Sequence, residues 1–203
     1  MTLSAPETPS DVRLPSGAVR WAWRPHLPRQ PAEPLARDWL AAELGVTAAT
    51  LPLARDPRGR PRLGGDLAGW DCNWSHSGDG LLIALGQGVQ VGIDLERLRP
   101  RARALELAQR FFTPTEVDWL HAAPSAAVRD HAFLRLWCAK EAVLKAHGHG
   151  ISFGLDRLRF EDGDAGLRLV ACDPALGTPE QWQLHELQPA QDYLGALAWR
   201  PGQ

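Results

Sequence analysis

The chain has 203 residues, 44% of them hydrophobic and 23% charged, with a formal net charge of −2. This is ordinary globular composition, enough for one large domain or two small ones, and it argues against disorder and against general affinity for nucleic acid. No apolar run approaches membrane-spanning length, Met1 to Arg13 lacks the pattern of a secretory signal, and Cys72, Cys138 and Cys172 form no ligand spacing. The expectation is a soluble, cytoplasmic protein with structural thiols and with neither nucleic-acid nor membrane partners.

In chain order, residues 1–16, rich in Pro, Ser and Thr, read as a poorly ordered tail. Ala18 to Trp23 alternates Val19, Trp21 and Trp23 with smaller or basic residues and predicts a strand. Pro34 to Leu44 predicts a helix with proline near its start and Gly45 at its stop. Residues 56–61 are turn chemistry, and Asn73 to Ser77 reads as a loop before a strand. Leu81 to Leu85 and Val89 to Leu95 predict two strands joined as a hairpin through Gly86-Gln87-Gly88.

Arg103 to Phe111 has a short helical pattern. Thr113-Pro114-Thr115-Glu116 then combines an N-cap, a first-turn proline and a capping-box glutamate. Asp130 to His147 is the strongest helix, stopped by Gly148-His149-Gly150. Leu155 to Phe160, Leu167 to Ala171, Trp182 to Leu187 and Tyr193 to Trp199 read as antiparallel strands. Each half holds a helix followed by strands, which predicts an α+β fold of two similar lobes, 17–100 and 101–203.

Three clusters carry chemistry. In Val89 to Glu96, alternate residues share a side, so Asp94 and Glu96 stand about 7 Å apart beside the small Gly92. Such a pair is either a solvated strand edge or hard oxygen ligands for a cation such as Mg²⁺. On the next segment Glu141 and Lys145 share a helix face, one turn beyond Trp137. They make either an ordinary ion pair of about 0.3–0.5 kcal/mol or a third carboxylate beside a cation suited to phosphate. Of 22 basic residues only Lys140 and Lys145 are lysine, five positions apart. A site that needs a compact ammonium would resist replacement by arginine, so the clustering hints at function.

In the third cluster, Asn73 to Ser77, hydroxyls and an imidazole can hydrogen-bond phosphate oxygens. A serine–histidine nucleophile is disfavoured, because adjacent residues rarely face each other and no G-x-S-x-G elbow surrounds them. The basic run Arg55 to Arg62 reads as solvated surface or a phosphate site, and His147 and His149 read as part of a helix stop. Arg97, Arg99, Arg101 and Arg103 fall on alternate positions of an extended connection and predict a basic stripe, either a docking surface or a solvated linker.

Taken in order, Gly59-Arg60-Pro61, Asn73 to Ser77, Gly92-Ile-Asp94-Leu-Glu96, Phe111 to Glu116, Trp137 to Lys145 and Gly148-His-Gly150 resemble the 4′-phosphopantetheinyl transferases of the surfactin-synthetase-activating type. The resemblance covers residues 35 to 160 and points to the two-lobed, pseudo-dimeric members, which implies a monomer. It implies transfer of phosphopantetheine from coenzyme A to a serine of an apo acyl- or peptidyl-carrier protein, with adenosine 3′,5′-bisphosphate leaving. It also implies that Asp94, Glu96 and Glu141 hold Mg²⁺, for which Mn²⁺ can stand in. Glu141 and Lys145 would act in catalysis, and Arg60, Ser75, His76 and Lys145 would bind coenzyme A. The basic residues for the 3′-phosphate are not placed by it; Arg24, Arg29 and Arg37 are candidates. The alternatives are a noncatalytic carrier-binding paralogue and a metal-dependent phosphohydrolase.

Overall fold

The computed structural model describes residues 12–13 and 18–202. The fold is α+β. The chain begins with β1 (Val12–Arg13), β2 (Val19–Pro25), α1 (Glu33–Leu44), the short hairpin of β3 (Leu53–Arg55) and β4 (Pro61–Leu63), β5 (Trp70–Ser77) and β6 (Gly80–Gln87). Next come β7 (Val89–Arg97), α2 (Ala104–Phe111), α3 (Pro114–His121) and α4 (Ala126–His147). The chain ends with β8 (Leu158–Gly163), β9 (Gly166–Cys172), β10 (Gln183–Leu187) and β11 (Tyr193–Pro201). Most of the expected tail lies outside the described residues, but residues 12–13 within it pair with β2.

Two of the strand readings are corrected. Residues 73–77 are not a loop but part of β5. Nor do β6 and β7 form a hairpin. The strand order β1-β2-β6-β5 places β6 inside one sheet, with both edges taken, whereas β7 is an edge of a second sheet ordered β10-β11-β7. β7 therefore pairs antiparallel with the end of the chain, from Tyr193↔Arg97 to Pro201↔Val89. Gly88, at φ +66°, lets the chain turn from one sheet to the other.

The two sheets meet along β5 and β7 through side chains. Asp71, Asn73, Ser75 and Ser77 are alternate residues and share one side of β5. The Asp71 carboxylate accepts the Val91 amide at 2.8 Å, Asn73 Oδ1 accepts that of Ile93 at 3.1 Å, and Ser77 Oγ accepts that of Arg97 at 3.2 Å. Both partner numbers rise together, so the strands run parallel, and polar side chains satisfy amides that would otherwise be a buried, unpaired edge.

α4 lies on the other face of β7. A Cβ on Gly92 would stand 2.1 Å from the Ala142 carbonyl oxygen and 2.4 Å from the Ala146 nitrogen, so only glycine permits this approach. The helix is buried on several sides at once, by α2, α3 and the C-terminal strands, and its apolar residues Phe133, Leu136, Val143 and Leu144 form the middle of the largest core cluster. Trp137 packs among Phe111, Phe112 and Phe133.

Lys140 does not face solvent. It is fully buried, and its ammonium donates to the Leu155 and Leu158 carbonyls and pairs with Glu116 at 2.8 Å. Glu116 completes the predicted capping box of α3 and also accepts the Phe160 amide at 2.8 Å. Burial pushes the Lys140 ammonium down to about 8 even with Glu116 beside it. The pair ties α4 to the start of α3 and to the approach to β8. Removing one member of such a pair leaves a buried charge uncompensated. Lys140→Met is expected to lower stability by about 3–5 kcal/mol in urea unfolding, and Lys140→Arg to lower it as well, since no space is open around the side chain. Wild-type unfolding midpoints for both variants would contradict this role.

Candidate active site

Three elements bring the predicted residues together. β7 supplies Asp94, α4 supplies Glu141 and Lys145, and β5 supplies Ser75. Asp94 Oδ1 accepts from Lys145 Nζ at 2.6 Å and from Ser75 Oγ at 2.9 Å, while Lys145 Nζ also donates to Ser75 Oγ at 2.9 Å. Burial disfavours the Lys145 ammonium, but the Asp94 carboxylate and Glu141 hold it above its ordinary value. This closed triangle needs the β5–β7 junction on one side and the Gly92 contact on the other.

Around it the carboxylates are left short of partners. Asp94 Oδ2 and Glu141 Oε1 are both buried without a hydrogen-bond partner among the described residues. Glu141 is pushed up to about 7, first by burial and then by the negative charges of Asp94 and Glu96, with Lys145 opposing. Glu96 is also raised by burial and by Asp94, against the pull of Arg101. Its Oε2 lies 2.5 Å from the Arg101 guanidinium and accepts from Ser77 Oγ at 3.4 Å. With Glu96 turned that way, no three His, Cys, Asp or Glu side chains among the described residues are grouped to hold a metal ion.

Beside Lys145 opens a cleft of ≈ 220 Å³, whose lining includes Arg58, Arg60, Trp74, His149 and the glycines at 148 and 150. Arg60 is buried; one nitrogen donates to the Val91 carbonyl at 3.0 Å and pairs with Asp71, while Nε and Nη1 have no partner among the described residues. Burial lowers its guanidinium below the ordinary value, against the attraction of Asp71. Ser75 and His76 point to opposite sides of β5. His76 is exposed, its ring is 4.9 Å from that of His26, and burial, His26 and Lys145 lower its pKa.

Arg24, Arg29, Arg37 and the arginines from 97 to 103 do not line that cleft. Arg37 donates to the Ala48, Leu51 and Leu53 carbonyls, bracing the loop after α1, while Arg24 donates to the Trp23 carbonyl and Arg29 is exposed. The predicted arginine stripe is broken up by ion pairs: Arg97 with Asp79, Arg101 with Glu96 and Arg103 with Glu106. Sequence reasoning missed Asp71, which fixes both Arg60 and the Val91 amide, and it missed Trp74 and His149 in the cleft. The signal for Asp71 was present, since Asp71-x-Asn73-x-Ser75-x-Ser77 is a two-residue polar repeat that a strand would place on one side.

Cations that line a cleft next to a knot of buried carboxylates are a setting suited to phosphate chemistry. The sequence model of the 4′-phosphopantetheinyl transferase superfamily matches residues 90–198, and the chain belongs to that superfamily. It is 36% identical over 175 residues to the 4′-phosphopantetheinyl transferase HetI of Nostoc, covering 82% of this chain and 70% of the relative. It is 29% identical over 158 residues to Sfp of Bacillus subtilis, covering 76% and 66% of the two chains. To AcpT of Escherichia coli it is 36% identical over 124 residues, covering 58% and 61%.

The crowding at Glu141 has a measurable consequence. A carboxyl group whose pKa is raised on folding keeps its proton in the native state at pH values where the unfolded chain has lost it. Stability therefore falls as pH rises from the ordinary 4.5 to about 7, and the full cost persists above that. Without divalent cations, Glu141→Gln is expected to stabilise the protein by about 1–3 kcal/mol at pH 8, with the gain fading as pH falls toward the ordinary carboxylate value. Urea unfolding at a series of pH values reads this. A gain that is absent, or constant with pH, would contradict the account of Glu141.

Proposed function

We propose that this chain transfers phosphopantetheine from coenzyme A to a serine of an apo acyl- or peptidyl-carrier protein, and that it works with Mg²⁺ or Mn²⁺. The observation that carries the reading is the Lys145–Asp94–Ser75 triangle, flanked by two buried carboxylate oxygens without partners and opening on a basic cleft. Hard, unpartnered oxygens in that setting suit a small divalent cation, with Asp94 and Glu141 as ligands and Glu96 as a third once released from Arg101. The bound cation would supply Lewis-acid stabilisation and neutralise pyrophosphate charge.

The protein's own groups have separate tasks. Arg58 and the free nitrogens of Arg60 receive the nucleotide phosphates in the cleft, and Ser75 and Asp94 hold Lys145 in position. The carrier serine oxygen bonds to the β-phosphorus, the bond from that phosphorus to the bridging oxygen breaks, and adenosine 3′,5′-bisphosphate departs with the electron pair. Lys145 offsets charge gathering on the departing phosphate. Glu141, or a water that it orients, takes the serine proton. Both lobes belong to one chain, which suits a monomer. The three free cysteines suit the cytoplasm, and no helix among the described residues is long and apolar enough to cross a membrane.

Incubation with coenzyme A, Mg²⁺ and apo carrier proteins, read by intact-protein mass spectrometry, tests the proposal. A carrier heavier by one phosphopantetheine group is expected, with EDTA stopping the reaction and Mg²⁺ or Mn²⁺ restoring it. Asp94→Ala and Glu141→Ala should each lower the rate by at least about 100-fold, Glu96→Ala by less, and Lys145→Arg should be strongly impaired because a planar fork does not replace a compact ammonium. Hydrolysis of coenzyme A without a heavier carrier would identify a phosphohydrolase, and carrier binding without either reaction a noncatalytic paralogue.

A further inference from the structure

α4 ends at Gly148, whose left-handed φ of 90° turns the chain so that His149 comes back beside His147. The two rings stack with centroids 4.3 Å apart, and Phe153 packs against both. Their Nδ1 atoms are 2.6 Å apart. Two lone pairs do not face each other at that distance, so one proton lies between them, and each ring keeps one nitrogen for another partner. The second nitrogen of His147 is left to the Ala175 backbone carbonyl, while His149 lines the cleft beside Arg58, Arg60 and Lys145.

These contacts place the protons. Donation to a carbonyl needs a proton on the far nitrogen of His147, so in the neutral ring Nδ1 is the acceptor. His149 therefore donates through its own Nδ1, and when neutral it carries no proton on Nε2. The nitrogen left for the cleft is then a lone pair, which repels a phosphate oxygen. One added proton at Nε2 makes it a charged donor without disturbing the bond to His147.

The surrounding charges decide when that proton arrives. Arg58 acts from the turn between β3 and β4 and Arg200 from β11, and Arg60 and Arg62 come within 4 Å of where a Cβ on Gly148 would lie. Arg157, over the Phe153 ring, is paired with Asp173, Asp71 is held by Arg60, and Asp56 by Arg62. The Arg200 partners among the described residues are neutral: Gln90, the Leu176 carbonyl and the Trp182 ring. Positive charge thus outweighs negative around the rings, and burial, His149, Arg200 and Arg58 all lower the His147 pKa. An arriving phosphate supplies the missing negative charge and favours the added proton.

We infer that His149 contacts a nucleotide phosphate in its charged form, that His147 is the positioning residue that fixes where its proton sits, and that nucleotide binding therefore takes up a proton. The inference rests on the reading above, in which the cleft receives the phosphates of coenzyme A, and adds to it a contact residue and a pH dependence.

Calorimetric titration of coenzyme A at saturating Mg²⁺, repeated near pH 7 in buffers of different ionisation enthalpy, counts the protons taken up. Glu141 and the phosphates also titrate near neutral pH, so the quantity read is the difference between wild type and variant. His149→Gln keeps an N–H close to the Nε2 position but carries no charge. Its uptake should be lower by roughly half a proton to one proton. It should also bind coenzyme A about tenfold more weakly at about pH 6.5, with the gap closing as pH rises toward about 8.5. His147→Ala removes the acceptor and should lose much of the uptake, whereas His147→Asn, whose side-chain oxygen takes the place of Nδ1, should restore it. Wild-type uptake in His149→Gln overturns the inference, and wild-type uptake in His147→Ala overturns the role given to His147. A wild-type protein that neither binds coenzyme A nor modifies a carrier removes the reading of the cleft itself, which the wild-type titration separates from failure of the histidine pair alone.

Discussion

The hydrogen bonds from the polar side of β5 to the amides of β7 are the constraint on which the site depends. Two sheets whose strands belong to different parts of the chain meet there without a backbone ladder. Asp71, Asn73 and Ser77 each accept one β7 amide, and Ser75 donates to the Asp94 carboxylate instead. The same row of side chains thus fixes the height of β7 beside β5 and turns one of its carboxylates toward Lys145. Asp71 also holds Arg60 at the basic cleft beside Lys145, so cleft and carboxylates share one support.

On its other face β7 is pressed against α4 by a contact that only Gly92 allows. The two lysines of that helix then divide their work by depth. Lys140 is spent inside the protein, where Glu116 and two carbonyls hold it and fix how α4 sits. Lys145, one and a half turns on, reaches the junction and meets Asp94 and Ser75. The fold therefore forces like charges together and supplies one ammonium to hold them. A buried carboxylate raised to about 7 and two unpartnered oxygens are what remain of that imbalance. Sites that bind charged ligands commonly carry such local cost, with the surrounding core as its support.

Much of this was legible in the sequence because it rests on local rules. The capping box at Thr113–Glu116 and the glycine stops of α1 and α4 are short-range signals, and the structure has all three. Asp94, Glu141, Lys145 and Ser75 were singled out by residue type and spacing, and they do meet. The partnership of β7 was not legible, since its apolar alternation suits a hairpin with β6 as well as pairing with a strand a hundred residues away. Nor was the burial of Lys140, whose helix position gives no sign of what α3 and the approach to β8 will cover. The arginine run after β7 failed for a related reason: acids from other elements, such as Asp79 on the turn before β6, capture charges that the sequence leaves in a row.

The central claim is that side chains of β5, rather than a backbone ladder, hold β7 in register for the Asp94–Lys145 contact. Amide hydrogen exchange of Asn73→Ala, followed residue by residue and paired with the transfer assay, tests it most directly. The account predicts faster exchange at the Ile93 amide and its neighbour Val91, unchanged protection of the amides that β7 shares with β11, and transfer at least about tenfold slower. Wild-type exchange at Ile93, or faster exchange there with transfer at the wild-type rate, would contradict it.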